Sequence, residues 1–183
     1  WRSLENENLL RTNGLSEKNI LIIGLGRIGK KIKRYALSFD MKVDFYDPHV
    51  EDDSIKKIYN LKNIAKYDCI SVNCYLNNAT RGMINKSVLD RLKEKCILVN
   101  TSRGEVVKED DMAYHILNNE NFYFGADVLC NEQDLNHLFN SKLYKLSKKI
   151  DRVVITPHVA GATVESQTKA FEAIFNLCKS YYV

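Results

Sequence analysis

The chain has 183 residues, of which 45% are apolar, with 27 lysines and arginines against 23 aspartates and glutamates for a formal charge of +4. That is apolar material for one core and one domain, and the cations alternate with acids as on a solvated surface, which argues against a nucleic-acid partner. The five cysteines Cys69, Cys74, Cys96, Cys130 and Cys178 form no C-x-x-C pair or His/Cys ligand set, so reduced thiols and no metal are expected.

Nothing near the N-terminus resembles a signal peptide, and no apolar run approaches the roughly 20 residues of a membrane span. A cytoplasmic protein with no membrane partner is therefore expected. The lack of a Met before Trp1 is what a fragment of a longer chain would show.

In chain order, Arg2 to Ser16 is polar and weakly patterned, so residues 1–18 read as a lead-in and 19–183 as one nucleotide-binding domain. Short apolar runs at Asn19 to Ile23, Lys42 to Tyr46, Cys69 to Cys74, Cys96 to Asn100, Tyr123 to Asp127 and Val153 to Thr156 read as strands. They alternate with amphipathic stretches, the pattern of an α/β fold with a doubly wound parallel sheet of the Rossmann type. After the first strand, Ile28, Ile32, Tyr35, Ala36 and Phe39 recur at helical spacing, so that stripe is expected on the sheet with Lys30, Lys31 and Arg34 in water. A closing helix is expected over Thr163 to Tyr182, with Val164, Phe171, Ile174, Cys178 and Tyr181 on one face.

The first strand runs straight into Gly24-Leu25-Gly26-Arg27-Ile28-Gly29, and Asp47 closes the second strand 18 positions after the last glycine. Glycines there let the backbone turn tightly against a pyrophosphate resting on the positive end of the next helix, and the acid at the end of the second strand holds a ribose. Asp47 favours NAD over NADP because a carboxylate repels a 2′-phosphate and no Arg follows closely. The alternative for Asp47 is a turn residue before Pro48.

Ligands of doubly wound folds sit beyond the carboxyl ends of the strands. Three chemically able side chains follow strands: Arg103 after Asn100, Glu132 after Asp127 and His158 after Thr156. Arg103 can grip a carboxylate with two parallel bonds, a fork that Lys lacks. His158 can deliver a proton to a carbonyl oxygen as hydride reaches its carbon, and Glu132 can orient the ring and favour its charged form. Each also has a plain reading, as a solvated turn, a loop acid or a structural histidine. His49, His115 and His137 are read as structural, in a post-strand turn, a helix and a loop, and the cysteines as core filler.

The order GLGRIG, YDP, VNTSRGEVV, GADV with Glu132, then ITPHVAG resembles the D-2-hydroxyacid dehydrogenases over nearly the whole chain, and Asn85 within TRGMIN fits as well. The resemblance implies that Arg103 is the substrate-binding arginine, Glu132 its acidic partner and His158 the acid/base. It implies cofactor contacts at Arg27 and Ile28 for pyrophosphate, at Cys74 and Thr101 beside the adenine side, at the adjoining Ser102, at Asp127 near the nicotinamide amide, and at the backbone of Ala160 and Gly161. It further implies NAD as cofactor, a small 2-hydroxy or 2-keto acid as substrate, and a homodimer formed through this domain. In the family the nucleotide domain is inserted between two halves of a substrate domain, and these residues correspond to the insert, from Trp1 after the first crossover to Tyr182 before the return. Departures are Tyr75 where the family usually has Pro, Asn73 where His is frequent, and Gln133 where Pro follows the glutamate.

The reading that follows is an NAD-dependent oxidoreductase acting on a small D-2-hydroxy acid, poorly active as this chain alone. The alternative is an NAD(H)-sensing interaction protein, similar to corepressors that keep the same trio without significant turnover. A methyltransferase with a related glycine loop would leave Arg103 and His158 idle.

Overall fold

The computed structural model describes residues 14–182, so most of the expected lead-in, Trp1 included, lies outside the described residues. Strands β1 (Asn19–Ile23), β2 (Lys42–Tyr46), β3 (Lys56–Lys57), β4 (Cys69–Val72), β5 (Ile97–Asn100), β6 (Tyr123–Ala126) and β7 (Val153–Ile155) form one sheet. Its order is β3-β2-β1-β4-β5-β6-β7 and every pairing is parallel. Six strands were expected; the seventh, β3, is a Lys-Lys pair that carries no apolar signal because it only caps the sheet edge beside β2.

Helices α1 (Arg27–Ser38), α2 (Lys86–Leu89), α3 (Glu109–Asn118), α4 (Leu135–Asn140), α5 (Lys142–Ser147) and α6 (Val164–Tyr182) accompany the sheet, with a 3₁₀ turn at Gly104–Val106. Strand residues alternate between two cores, as the period of two requires. Leu21, Ile23, Ile70, Val72 and Leu98 join one cluster with Met112 and Ile116 of α3, while Ile20, Ile22, Val43 and Phe45 join another with Ala36 of α1. Burial on both faces is why β1 is apolar from Ile20 to Ile23, whereas β2 sets Val43 and Phe45 on one face and the buried Asp44 on the other.

Two expected faces differ from the structure. On α1 the residues against the sheet are Gly29, Ala36 and the half-buried Ile32, whereas Ile28 is 56% exposed and Tyr35 and Phe39 are exposed too. The helix lies so close to β1 that small side chains make the contact: a Cβ on Gly29 would sit 2.2 Å from the Gly24 carbonyl oxygen. Helix α6 forms where the periodicity predicts, yet Val164, Phe171, Ile174 and Cys178 are exposed rather than packed, and Tyr181 lies outside the described side chains. The cysteines are equally uneven, since Cys96 is buried and Cys178 is not, so core filler describes only part of the set.

No helix among the described residues is long and apolar enough to cross a membrane.

Candidate active site

Because all strands run the same way, every loop that follows a strand opens at one edge of the sheet, and the order reverses between β1 and β4. That switch point is where the glycine loop sits. Gly24 has φ +90, and a Cβ there would lie 2.7 Å from the Cys74 backbone, so only glycine permits the turn beside the loop after β4. Gly26 caps α1 without any side-chain hydrogen bond to the first turn, and a Cβ on it would meet open space. Free amides at a helix start beside an open concavity fit a pyrophosphate. Arg27 and Ile28 stand at the same helix start, exposed.

Asp47 does more than the ribose role requires. Its Oδ2 accepts from the Leu25 amide at 2.9 Å, tying the glycine loop to the end of β2, and its Oδ1 accepts from the His49 amide at 2.9 Å. Each oxygen keeps a further lone-pair direction for a hydroxyl. Asp47 lines a cleft of about 330 Å³ with Gly24, Gly26, His49, Cys74 and Tyr75. Burial pushes the Cys74 thiol up to about 11, so it stays protonated and nearly apolar at neutral pH.

The trio expected after β5, β6 and β7 lines one cleft of about 610 Å³: Arg103, Glu132 and His158 are all in its wall. Nδ1 of His158 meets Oε1 of Glu132, and Glu132 Oε2 accepts from the Leu129 amide at 2.8 Å. An ionised carboxylate only accepts, so Nδ1 carries the hydrogen and Nε2 is left for chemistry. Arg103 is brought close by Gly104, where a Cβ would lie 2.0 Å from the Leu129 carbonyl carbon. The turn before it is held by Asn100, whose Oδ1 accepts from the Ser102 amide at 3.0 Å and hydroxyl at 2.7 Å while its Nδ2 donates to the Arg103 carbonyl at 2.9 Å. The Arg103 guanidinium donates to the Ser102 carbonyl at 2.6 Å.

Asp127 is buried behind the His158 loop. Its carboxylate accepts from the Thr156 hydroxyl and from the amides of Val159 at 3.0 Å and Ala160 at 2.8 Å. Burial works to raise this carboxyl, but the hydroxyl and the two amides outweigh it and hold it below the usual carboxylate range. Thr101 donates its hydroxyl to Asn73 at 3.2 Å and does not reach the Asp47 cleft wall, whereas Cys74 does. The Gly161 carbonyl accepts from the Ser166 hydroxyl at 2.6 Å.

Asn100, Asn73 and Tyr75 as site residues were not singled out by the residue pattern, although Asn100 ends β5 and Asn73 and Tyr75 lie one and three positions past β4, close to the signal that found Arg103. His137 is also corrected: it lies in α4, not in a loop, and lines the cleft of Arg103 and His158. His115 does behave structurally, packed edge-on against Phe122 with its imidazole pushed down by burial.

A family model described as D-isomer specific 2-hydroxyacid dehydrogenase, NAD binding domain, matches residues 1–160. The chain belongs to this family. As a D-2-hydroxyacid dehydrogenase NAD-binding domain it is similar to the dehydrogenase efuE of Hormonema carpetanum, with 32% identity over 88% of this chain and 40% of that protein. It is similar also to the hydroxypyruvate reductase of Thermotoga maritima, with 30% identity over 87% of this chain and 51% of that protein. Among solved structures, D-lactate dehydrogenase of Aquifex aeolicus, complexed with NAD and lactic acid, superposes with a TM-score of 0.84 at 29% identity, covering 94% of this chain and 56% of that one. The chain thus spans about half the length of the relatives it matches.

Proposed function

We propose that this domain serves an enzyme that passes hydride between NAD and a small 2-keto acid, forming or oxidising a D-2-hydroxy acid. The observation that carries the reading is the His158–Glu132 contact in the wall of the cleft that Arg103 also lines. NAD, when bound, supplies the carbon that accepts or donates hydride. Gly24, Gly26, Arg27, Ile28, Gly29 and Asp47 would hold its pyrophosphate and ribose, with Cys74, Thr101, Ser102, Asp127, Ala160 and Gly161 as further contacts. Arg103 would bind the substrate carboxylate through its fork. His158 would hold the proton at Nε2 and give it to the carbonyl oxygen of the keto acid, or take it from the alcohol in reverse. Glu132 would hold the Nδ1 hydrogen and stabilise the imidazolium that donates in the forward step and forms in the reverse one.

We further propose that residues 1–18 are a lead-in, that 19–183 form the nucleotide domain and that the working unit is a homodimer, which light scattering would read directly. Because the relatives are about twice as long, the 183-residue chain is expected to bind NAD but to turn over slowly by itself. The deciding experiment is His158→Ala in the longest polypeptide that carries this domain, assayed with a panel of D-2-hydroxy acids by NADH absorbance. Turnover should fall by about a hundredfold to ten-thousandfold with NAD affinity nearly intact; unchanged turnover would remove His158 as the acid.

A further inference from the structure

We infer that the substrate is a 2-keto acid with a bulky apolar side chain, branched or aromatic, and that this side chain enters a second cleft on the far side of His158. The inference rests on the hydride-transfer reading and narrows the substrate of that same site. The second cleft has a volume of about 520 Å³ and is walled by Leu129, Leu138, Tyr144, Ile155 and Pro157. Leu129, Glu132, Gln133 and His158 belong to the walls of both clefts, whereas Arg103 lines only the first of the two. The clefts therefore meet at the His158 and Glu132 pair.

A keto carbon carries its oxygen, its carboxylate and its side chain in one plane, pointing three ways. With the oxygen at Nε2 of His158 and the carboxylate on the Arg103 fork, the third direction leads past His158 and away from Arg103. What lies there is apolar: Leu138 of α4, Tyr144 of α5 and Ile155 of β7 pack on the main core yet stay half-buried. The walls are also pinned. Ser141 Oγ accepts from the Tyr144 amide at 3.2 Å, and the Tyr144 ring meets Phe139 edge-on with centroids 5.8 Å apart. Lys148 lines the cleft too, but it is exposed and its ammonium lies 4.9 Å from the Tyr144 ring centroid, so the charge stays in water and the stem covers apolar wall. The hydrogen of glyoxylate or the methyl of pyruvate would leave such walls without contact, whereas a branched or phenyl group gains burial and dispersion with each added carbon. A distal carboxylate or phosphate would instead stand beside the Glu132 carboxylate in the shared wall and be repelled.

The test uses the longest polypeptide that carries this domain, assayed by NADH absorbance with glyoxylate, 4-methyl-2-oxopentanoate, phenylpyruvate and 2-oxoglutarate, as wild type, Leu138→Trp and Leu138→Ala. Wild type should favour the two apolar acids over glyoxylate by about a hundredfold in kcat/KM. Leu138→Trp fills the cleft and should lower kcat/KM for both by about a hundredfold, while glyoxylate, which does not reach the cleft, keeps its wild-type value. Leu138→Ala removes part of one wall and should lower them by about tenfold, again sparing glyoxylate. Glyoxylate turnover thus reports, in the same protein, that each variant is folded. Equal kcat/KM for glyoxylate and the apolar acids, a preference for 2-oxoglutarate, or a loss that Leu138→Ala spreads equally over glyoxylate and phenylpyruvate would overturn the inference. Turnover of none of the four acids by wild type would instead overturn the hydride-transfer reading, and the inference with it.

Discussion

Asp127 sets the backbone of His158 without bonding to its ring. His158 has φ +53, a left-handed conformation that costs a non-glycine residue roughly 1 kcal/mol or more, and the amides of the next two residues both donate to the Asp127 carboxylate. The strain sits at the residue that needs a fixed direction toward the cleft. Asp127→Asn leaves one oxygen where two accepted, so a buried amide or hydroxyl loses its partner, at a cost of about 1–3 kcal/mol. The Asp127 carboxyl is held below its ordinary value, so it is the ionised form that favours folding. That contribution is full above pH about 4, the unfolded value, and is lost as pH falls through the lower folded value. Melting curves of the two proteins should therefore differ most near neutrality and converge in acid; a gap that stays constant from neutrality to pH about 2 would refute the assignment.

The glycine loop separates folding from binding at neighbouring positions. A Cβ at position 29 would meet the Gly24 carbonyl oxygen at 2.2 Å, whereas a Cβ at position 26 would meet nothing within 4 Å. Gly29→Ala is expected to lower stability by about 1–3 kcal/mol through overpacking. Gly26→Ala is expected to melt close to wild type but to bind NAD weakly, because the methyl occupies the open space that faces the helix start. Thermal melts beside NADH titrations check both, and an unstable Gly26→Ala that still binds NADH would contradict the geometry.

Strand β1 is readable to the residue from sequence because both of its faces are buried and apolar, and β2 because Val43, Phe45 and Tyr46 make an apolar run around Asp44. The same rule hides β3, whose two lysines sit at the sheet edge and carry no apolar signal. On α1 the pattern has the right period and the wrong face. Hydrophobicity marks Ile28, Tyr35 and Phe39, but contact with the sheet is decided by how closely the helix approaches, and that is set by the absence of a side chain at Gly29. Helix α6 shows the same limit, since periodicity predicts a helix but not what its apolar face meets. At the candidate site, Arg103, Glu132 and His158 are legible because they are chemically able and follow strands. Asn100 and Asp127 hold that site from beneath, and ordinary polar residues at strand ends give no sign of which backbone groups they will reach.

Asn100 illustrates how much of the Arg103 geometry lies in a residue with no chemistry of its own. It is 1% exposed and satisfies the Ser102 amide, the Ser102 hydroxyl and the Arg103 carbonyl at once. Asn100→Ala leaves the Ser102 amide and hydroxyl without this partner, while the Arg103 carbonyl keeps the Val106 amide at 3.2 Å, with an expected loss of about 1–3 kcal/mol. Asn100→Asp keeps the acceptor for Ser102 but removes the donor to Arg103. If Asn100 is a positioning residue, Asn100→Asp should raise KM for the keto acid while leaving NADH affinity near wild type. A uniform loss of both would assign it to stability alone.

Asp47 carries the final expectation, because its two duties pull a substitution in different directions. Its charge disfavours a 2′-phosphate, so removing it should help NADP; its Oδ2 also restrains the Leu25 amide, so removing it loosens the loop on which either cofactor's pyrophosphate rests. A charge-assisted bond to a ribose hydroxyl is worth about 1.5–3 kcal/mol. The loss for NAD thus exceeds the general cost of a looser loop, and NADP feels only that general cost, offset by relief of repulsion. Asp47→Ala should weaken NAD by about tenfold to hundredfold and lower the melting temperature by a few degrees. The NAD to NADP affinity ratio should then fall toward one, and titration of both cofactors into both proteins measures it. An unchanged ratio would mean that the carboxylate serves the glycine loop and not the ribose.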